Sequence, residues 1–353
     1  MQAKQKDYNL ELIRTISIFL VVLIHFCNYY TARTVPDFEI NYSAALLYNV
    51  FARISVPLFF MISGALAFRK DFDFKKNNKK ILHMIIVLIA WNIIYWFWNC
   101  FFLDREMTTN IISYIFIPVK NHLWYMYAYI AILIANPLTS ILAKYMKPCH
   151  ENYFILAWLI LCGGVRAFDF MLDYFHVYAD LKYSIPIIQS TYYLGYYLCG
   201  HILYKRIRDN ADAGSLRAEK ILSFKPIIYI GAAVLTLTFC FLITNYASII
   251  TGATNKTFFG YSNIMIMFPS VALFIALMKI NVKGNRLLAT VGKLSFGVYL
   301  SHVLFLNIVY TLLDVRSMDS ILMLPLLSLL TLIVSLLFTA VTERIPILNK
   351  LLY

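Results

Sequence analysis

Stretches of mainly apolar residues recur ten times along this 353-residue chain, near 9–30, 44–67, 81–103, 122–143, 150–166, 186–204, 226–246, 261–280, 288–311 and 321–342. Most reach about 20 residues, the length a helix needs to cross a bilayer. Charged residues make up 14% of the chain, where a soluble domain carries about 25%. That is too little charge to coat a water-exposed surface, so lipid is the solvent for most of the molecule. The expected fold is all-α: a polytopic membrane helical bundle of about ten transmembrane helices. It forms a single domain over 1–353, with no extra soluble domain. The fifth stretch is the weakest, because its strongly apolar part runs only from Tyr153 to Val165 and contains Gly163-Gly164. It is expected to be tilted or broken.

The net charge of +13 resembles a nucleic-acid-binding signal until the charges are placed. With the N-terminus in the cytosol, 22 of the 31 basic residues fall in inside loops and seven outside. This is the positive-inside rule, and it puts both termini in the cytosol. The basic excess is then a topology signal, and nucleic acid is excluded as a partner. The first apolar run carries Glu11 and Arg14 and is too long for a cleavable leader, so it is a retained span. Six scattered cysteines without a C-x-x-C pattern give neither a disulfide framework nor a metal site.

Ionisable side chains inside spans are costly and usually face the bundle interior. Arg14 and His25 are eleven residues apart, close to three helical turns, so they share one face about 16 Å apart along the axis. Ser17 and Asn28 are expected to extend that stripe, and Glu11 stands where it can pair with Arg14. Arg14 can hold an anionic group while His25 acts as a base near neutral pH. Interhelical hydrogen bonding by His25 and snorkelling by Arg14 are the structural alternatives. Arg53, in a second span that Pro57 can break, can pair with an acid, clamp the helix or bind substrate. Ser63-Gly64 permits close helix contact. His122, followed by Trp124 and Tyr125, opens the fourth span at the outer interface, where an imidazole beside aromatic rings suits a sugar. Ser295, Tyr299 and His302 form a further polar stripe. The loop from Arg69 to Lys80 holds six basic residues, which can meet phosphates or anionic lipid.

Four motifs in order resemble the integral-membrane acyltransferase-3 family, especially its short single-domain O-acetyltransferases of surface polysaccharide. They are Arg14-x10-His25, Arg53-Ile-Ser-Val-Pro-Leu-Phe-Phe-Met-Ile-Ser-Gly64, His122-Leu-Trp-Tyr125 and Ser295-Phe-Gly-Val-Tyr-Leu-Ser-His302. The resemblance implies transfer of an acyl group, usually acetyl, from cytosolic acyl-CoA to a glycan hydroxyl at the outer face. It makes His25 the catalytic imidazole, with Arg14 and Glu11 holding the site or the donor. Arg14, Arg69, Lys76, Lys79 and Lys80 would meet acetyl-CoA, and Arg53, His122, Trp124, Tyr299 and His302 the acceptor; no metal is implied. Where relatives tend to show two arginines spaced by two, this chain has Lys76-Asn-Asn-Lys79, and lysine lacks the bidentate fork. The esterase-like or racemase domain of longer relatives is not expected after the tenth span. The expected setting is a bacterial inner or plasma membrane, with acyl-CoA, a glycan, lipids and glycan-assembly proteins as partners. The rival readings are a carrier for a lipid-linked sugar or small solute, and a sensor that binds without turnover.

Overall fold

The computed structural model describes residues 7–32, 39–69, 71–103, 117–164, 186–212 and 220–353. The end of the fifth predicted span, 165–166, lies outside them, as do Lys4, Lys6, Arg33, Lys70, Arg105, Arg166, Lys182 and Arg217. Among the described residues the chain is helical and has no strand. Its helices are α1 (Tyr8–Thr31), α2 (Ile40–Ala52), α3 (Ser55–Ala67), α4 (Phe74–Phe102), α5 (Trp124–Tyr145) and α6 (Pro148–Trp158). They continue with α7 (Pro186–Asp212), α8 (Pro226–Thr251), α9 (Ile264–Lys279), α10 (Arg286–Leu312), α11 (Ser320–Thr342) and α12 (Pro346–Leu352). Helices begin where a short polar side chain satisfies free backbone N–H groups. Asp7 accepts from the Asn9 amide at 3.2 Å, Asp73 from Lys76 at 3.1 Å and Asn285 from Leu287 at 2.7 Å. Helix α8 starts on Pro226 and stops at Gly252, whose φ of 64° only glycine adopts at little cost.

Each of the ten predicted spans coincides with helix, but seven rather than ten meet the length and apolarity a crossing requires among the described residues. These are α1, α2 with α3, α4, 121–145, α8, α10 and α11. The fifth span changes character along its length: α6 runs into a π-helical turn over Leu159–Gly164. Helix α9 has only 16 residues. The second span breaks at Arg53-Ile54, where Pro57 lacks the N–H that a continuous helix would direct at the Arg53 carbonyl.

Helices α1, α2 with α3, and α10 are the most enclosed, with 61%, 67% and 61% of their apolar windows buried; α4, α8 and α11 bury about a third. The outer helices turn residues such as Phe101, Leu235 and Leu337 outward, as lipid-facing surfaces do. At the centre α1 packs on α10, α2, α3 and α11, so its polar face looks into the bundle.

Helix α3 lies against α7 at backbone distance. A Cβ on Gly64 would sit 1.7 Å from the Tyr197 carbonyl oxygen, and one on Gly200 would sit 2.2 Å from that of Met61. Backbone cannot yield as a side chain does, so Gly64→Val is expected to cost at least the ~1–3 kcal/mol of an overpacked core. The control is Gly231→Ala, whose new methyl meets nothing within 4 Å; it is expected to be neutral or mildly stabilising. Thermal midpoints in detergent decide, and equal midpoints for the two variants would contradict the packing.

Candidate active site

A cavity of about 610 Å³ runs beside the polar face of α1, within the range usual for small-molecule sites. Arg14, Lys80 and Lys293 line one end, and Trp124 and Tyr261 the other, with His25 between them. Among the described residues the wall contains four cations, Arg14, Arg53, Lys80 and Lys293, and no carboxylate. Such a cavity draws anions inward.

Three histidines from separate parts of the chain meet beside it. The ring of His25 lies 5.0 Å from that of His302 and 6.1 Å from that of His122, and the last two are 5.2 Å apart. His25 and His122 line the cavity, whereas His302 is fully buried behind them. His302 Nδ1 is 2.7 Å from the Tyr299 carbonyl oxygen and 3.1 Å from that of Val298. Carbonyls only accept, so Nδ1 carries the hydrogen and Nε2 presents its lone pair. Neither His302 Nε2 nor His122 Nε2 has a hydrogen-bond partner in the described protein, and both are buried. The His25 ring, 5.0 Å away centroid to centroid, makes no hydrogen bond to His302 Nε2; a rotation of the ring would bring an N–H to it and leave the other His25 nitrogen for the cavity. Tyr299 donates to the His122 carbonyl at 2.6 Å and Tyr310 to that of His25 at 3.0 Å, fixing the backbone on which two of the rings stand.

Arg14 reaches Glu11 at 3.0 Å, and Glu11 is buried in a space left by Gly292. A Cβ at Gly292 would stand 1.8 Å from the carboxylate. Of the described residues of the basic loop, only Lys80 enters the cavity wall, where it donates to the Tyr129 hydroxyl at 2.7 Å. Arg69 instead lies 3.8 Å from Asp7 and donates to Tyr204, Lys76 pairs with Asp73 at 2.8 Å, and Lys79 is exposed outside the wall. Lys293, which the sequence presented only as a topology charge, lines the cavity and pairs with Glu343 at 2.6 Å. Ser17 does not extend the α1 stripe: it is fully buried away from the cavity, while Asn28 does line it.

At the opposite end Trp124 stacks on Tyr193 at 5.0 Å and approaches Tyr261 at 5.8 Å. His122 is not part of that aromatic surface; it turns inward to the other histidines and to Tyr95 at 5.1 Å. Arg53 donates from Nε to Asn49 at 3.2 Å and from Nη2 to Asn28 at 3.1 Å. Its guanidinium lies over the rings of Phe259 and Tyr261 at 4.8 and 5.5 Å. It pairs with no acid among the described residues. Among them, too, no group of His, Cys, Asp and Glu has the geometry to hold a metal.

A family described as an acyltransferase domain matches residues 7–340. A curated protein of Enterococcus faecalis, named an amino-acid racemase, is 24% identical over 326 residues, or 88% of this chain and 42% of that protein. The chain thus spans less than half the length of that relative. No solved structure matches it.

Proposed function

The chain belongs to the acyltransferase-3 family and is an integral-membrane acyltransferase, and from that premise we propose that it moves an acyl group, acetyl before others, from cytosolic acyl-CoA to a hydroxyl of a cell-surface or lipid-linked glycan. The observation that carries this reading is the position of His25, between a cationic mouth and an aromatic wall in one cavity. With the N-terminus cytosolic, the end holding Arg14, Lys80 and Lys293 faces the donor's phosphates. Trp124, Tyr193 and Tyr261 offer stacked rings to the acceptor, as sugar-binding surfaces do.

In the direct course the acceptor oxygen attacks the thioester carbonyl carbon while His25 takes the hydroxyl proton. The C–S bond then breaks and the imidazolium returns that proton to the sulfur, leaving an ester and free CoA. In the covalent course a ring nitrogen of His25 attacks the thioester carbon, the C–S bond breaks and CoA leaves as the thiolate. The hydroxyl then attacks the acyl-imidazole, the C–N bond breaks, and the hydroxyl proton neutralises the thiolate, leaving ester, free imidazole and CoA. Among the described residues the cavity wall holds no carboxylate, so His25 serves as base in the direct course and as nucleophile in the covalent one. Purified protein in nanodiscs, given labelled acetyl-CoA or succinyl-CoA with a crude glycan extract, is expected to release CoA and label the extract. If neither donor is bound or consumed, the reading fails and a flux assay for a carried sugar replaces it.

A further inference from the structure

Arg53 is the one cavity cation without a carboxylate or hydroxyl partner among the described residues. Arg14 has Glu11, Lys293 has Glu343 and Lys80 has the Tyr129 hydroxyl. Among the described residues the only groups that accept from Arg53 are the amide oxygens of Asn28 and Asn49, which orient the guanidinium without neutralising it. Phe259 and Tyr261 lie on its face and limit its hydration. Nη1 is left with no protein partner among the described residues, on a side chain that lines the cavity. A cation held in low dielectric without a counter-charge is costly unless a ligand supplies one.

Its place along the cavity says which ligand. Arg14 is eleven residues before His25 on α1, about 16 Å along the axis, whereas Asn28 is three residues beyond it, about 4.5 Å. Arg53 is anchored on Asn28, so it stands past the reacting centre, on the side of Tyr261 and away from the cationic mouth. We propose that Arg53 binds an anionic group of the acceptor, a carboxylate or a phosphate lying a few bonds from the hydroxyl that is acylated. This rests on the acyl-transfer reading above. A neutral sugar would leave the charge uncompensated; a carboxylate or phosphate oxygen would accept from Nη1.

Three small acceptors separate the cases: methyl glucoside, methyl glucuronide and glucose 1-phosphate, each given to the protein in nanodiscs with acetyl-CoA. The anionic sugars are expected to exceed the neutral one in kcat/KM by about 10- to 100-fold, the worth of one charge-assisted hydrogen bond. Whichever anion leads identifies the source. Arg53→Gln should bring the ratio near one, and Arg53→Lys should retain part of it. The proposal is overturned if the wild type prefers the neutral sugar or treats all three alike. It is equally overturned if Arg53→Gln keeps the preference, or loses rate with all three in proportion, which would put the guanidinium on the reacting carbonyl. Should Arg53→Gln fail to fold, wild-type protein still decides. Glucuronate must compete with the acceptor and not with acetyl-CoA, while glucose does not compete; the opposite result overturns the assignment. Saturation-transfer NMR of methyl glucuronide on the wild type reads this anion site without turnover, and no binding there refutes it. Absent consumption of acetyl-CoA would instead refute the donor reading.

Discussion

Replacing His25 by alanine is expected to lower acyl transfer by about 10²- to 10⁴-fold, the usual contribution of a positioned acid or base. Its ring faces the cavity, so truncation enlarges an existing space and leaves packed core in place. The variant should therefore elute and melt as the wild type does while CoA release stops. Among the described residues no carboxylate lines the cavity to take over the proton, and the His122 ring stands 6.1 Å from that of His25. On the proposed mechanism His302 would act through His25 as a positioning residue, so its loss is expected to have a different signature. His302→Leu should lower kcat by about 10- to 100-fold with the KM for acyl-CoA held, because only the orientation of the base changes. His302→Gln offers a carbonyl acceptor in the same direction and should recover part of kcat. A purely structural role would lower thermal stability in both variants and give no such difference. Wild-type transfer by a well-expressed His25→Ala protein would end the assignment.

The helical spans were legible because a bilayer leaves the backbone few ways to cross, and an apolar run of the right length reveals them. The α1 stripe was legible for a similar local reason: eleven residues make nearly three turns whatever the helix packs against, and Arg14 and His25 do line one cavity. The break before Pro57 also follows from local backbone chemistry. The histidine cluster was not legible, because its members come from α1, the turn before α5 and α10, and only packing sets their separations. Read locally, His122 belonged with Trp124 and Tyr125; the short 3₁₀ turn over Asn121–Leu123 directs it inward instead. Loop charges are ambiguous for a related reason. A basic residue signals topology and phosphate binding with the same letter, and the distinction depends on which acid it meets. Asp7 draws Arg69 and Asp73 holds Lys76, whereas Lys80 and Lys293 come from distant segments to one mouth.

That convergence makes the donor end separately testable. Lys80→Glu with Lys293→Glu is expected to raise the KM for acyl-CoA by about 10- to 100-fold, since a cationic cleft concentrates an anionic ligand and reversed charges repel it. The effect should be largest at low ionic strength and shrink as salt screens the mouth, while kcat at saturating donor changes little because His25 is untouched. Lys293→Glu alone also sets two carboxylates face to face where Lys293 and Glu343 now meet at 2.6 Å. Adding Glu343→Lys restores the ion pair with its members exchanged, so it separates loss of the bridge from loss of the cavity charge. A KM that recovers with the exchange means that the net charge of the mouth suffices; one that stays high means that a cation is needed at the Lys293 position itself. The comparison with Lys76→Glu then locates the donor. Lys76 lies on the same helix one turn before Lys80 but outside the cavity wall, and its reversal should raise KM by less than about threefold, as a screened surface charge would. An equal rise for Lys76→Glu and Lys80→Glu would move the CoA phosphates out of the cavity and onto the outer surface of α4.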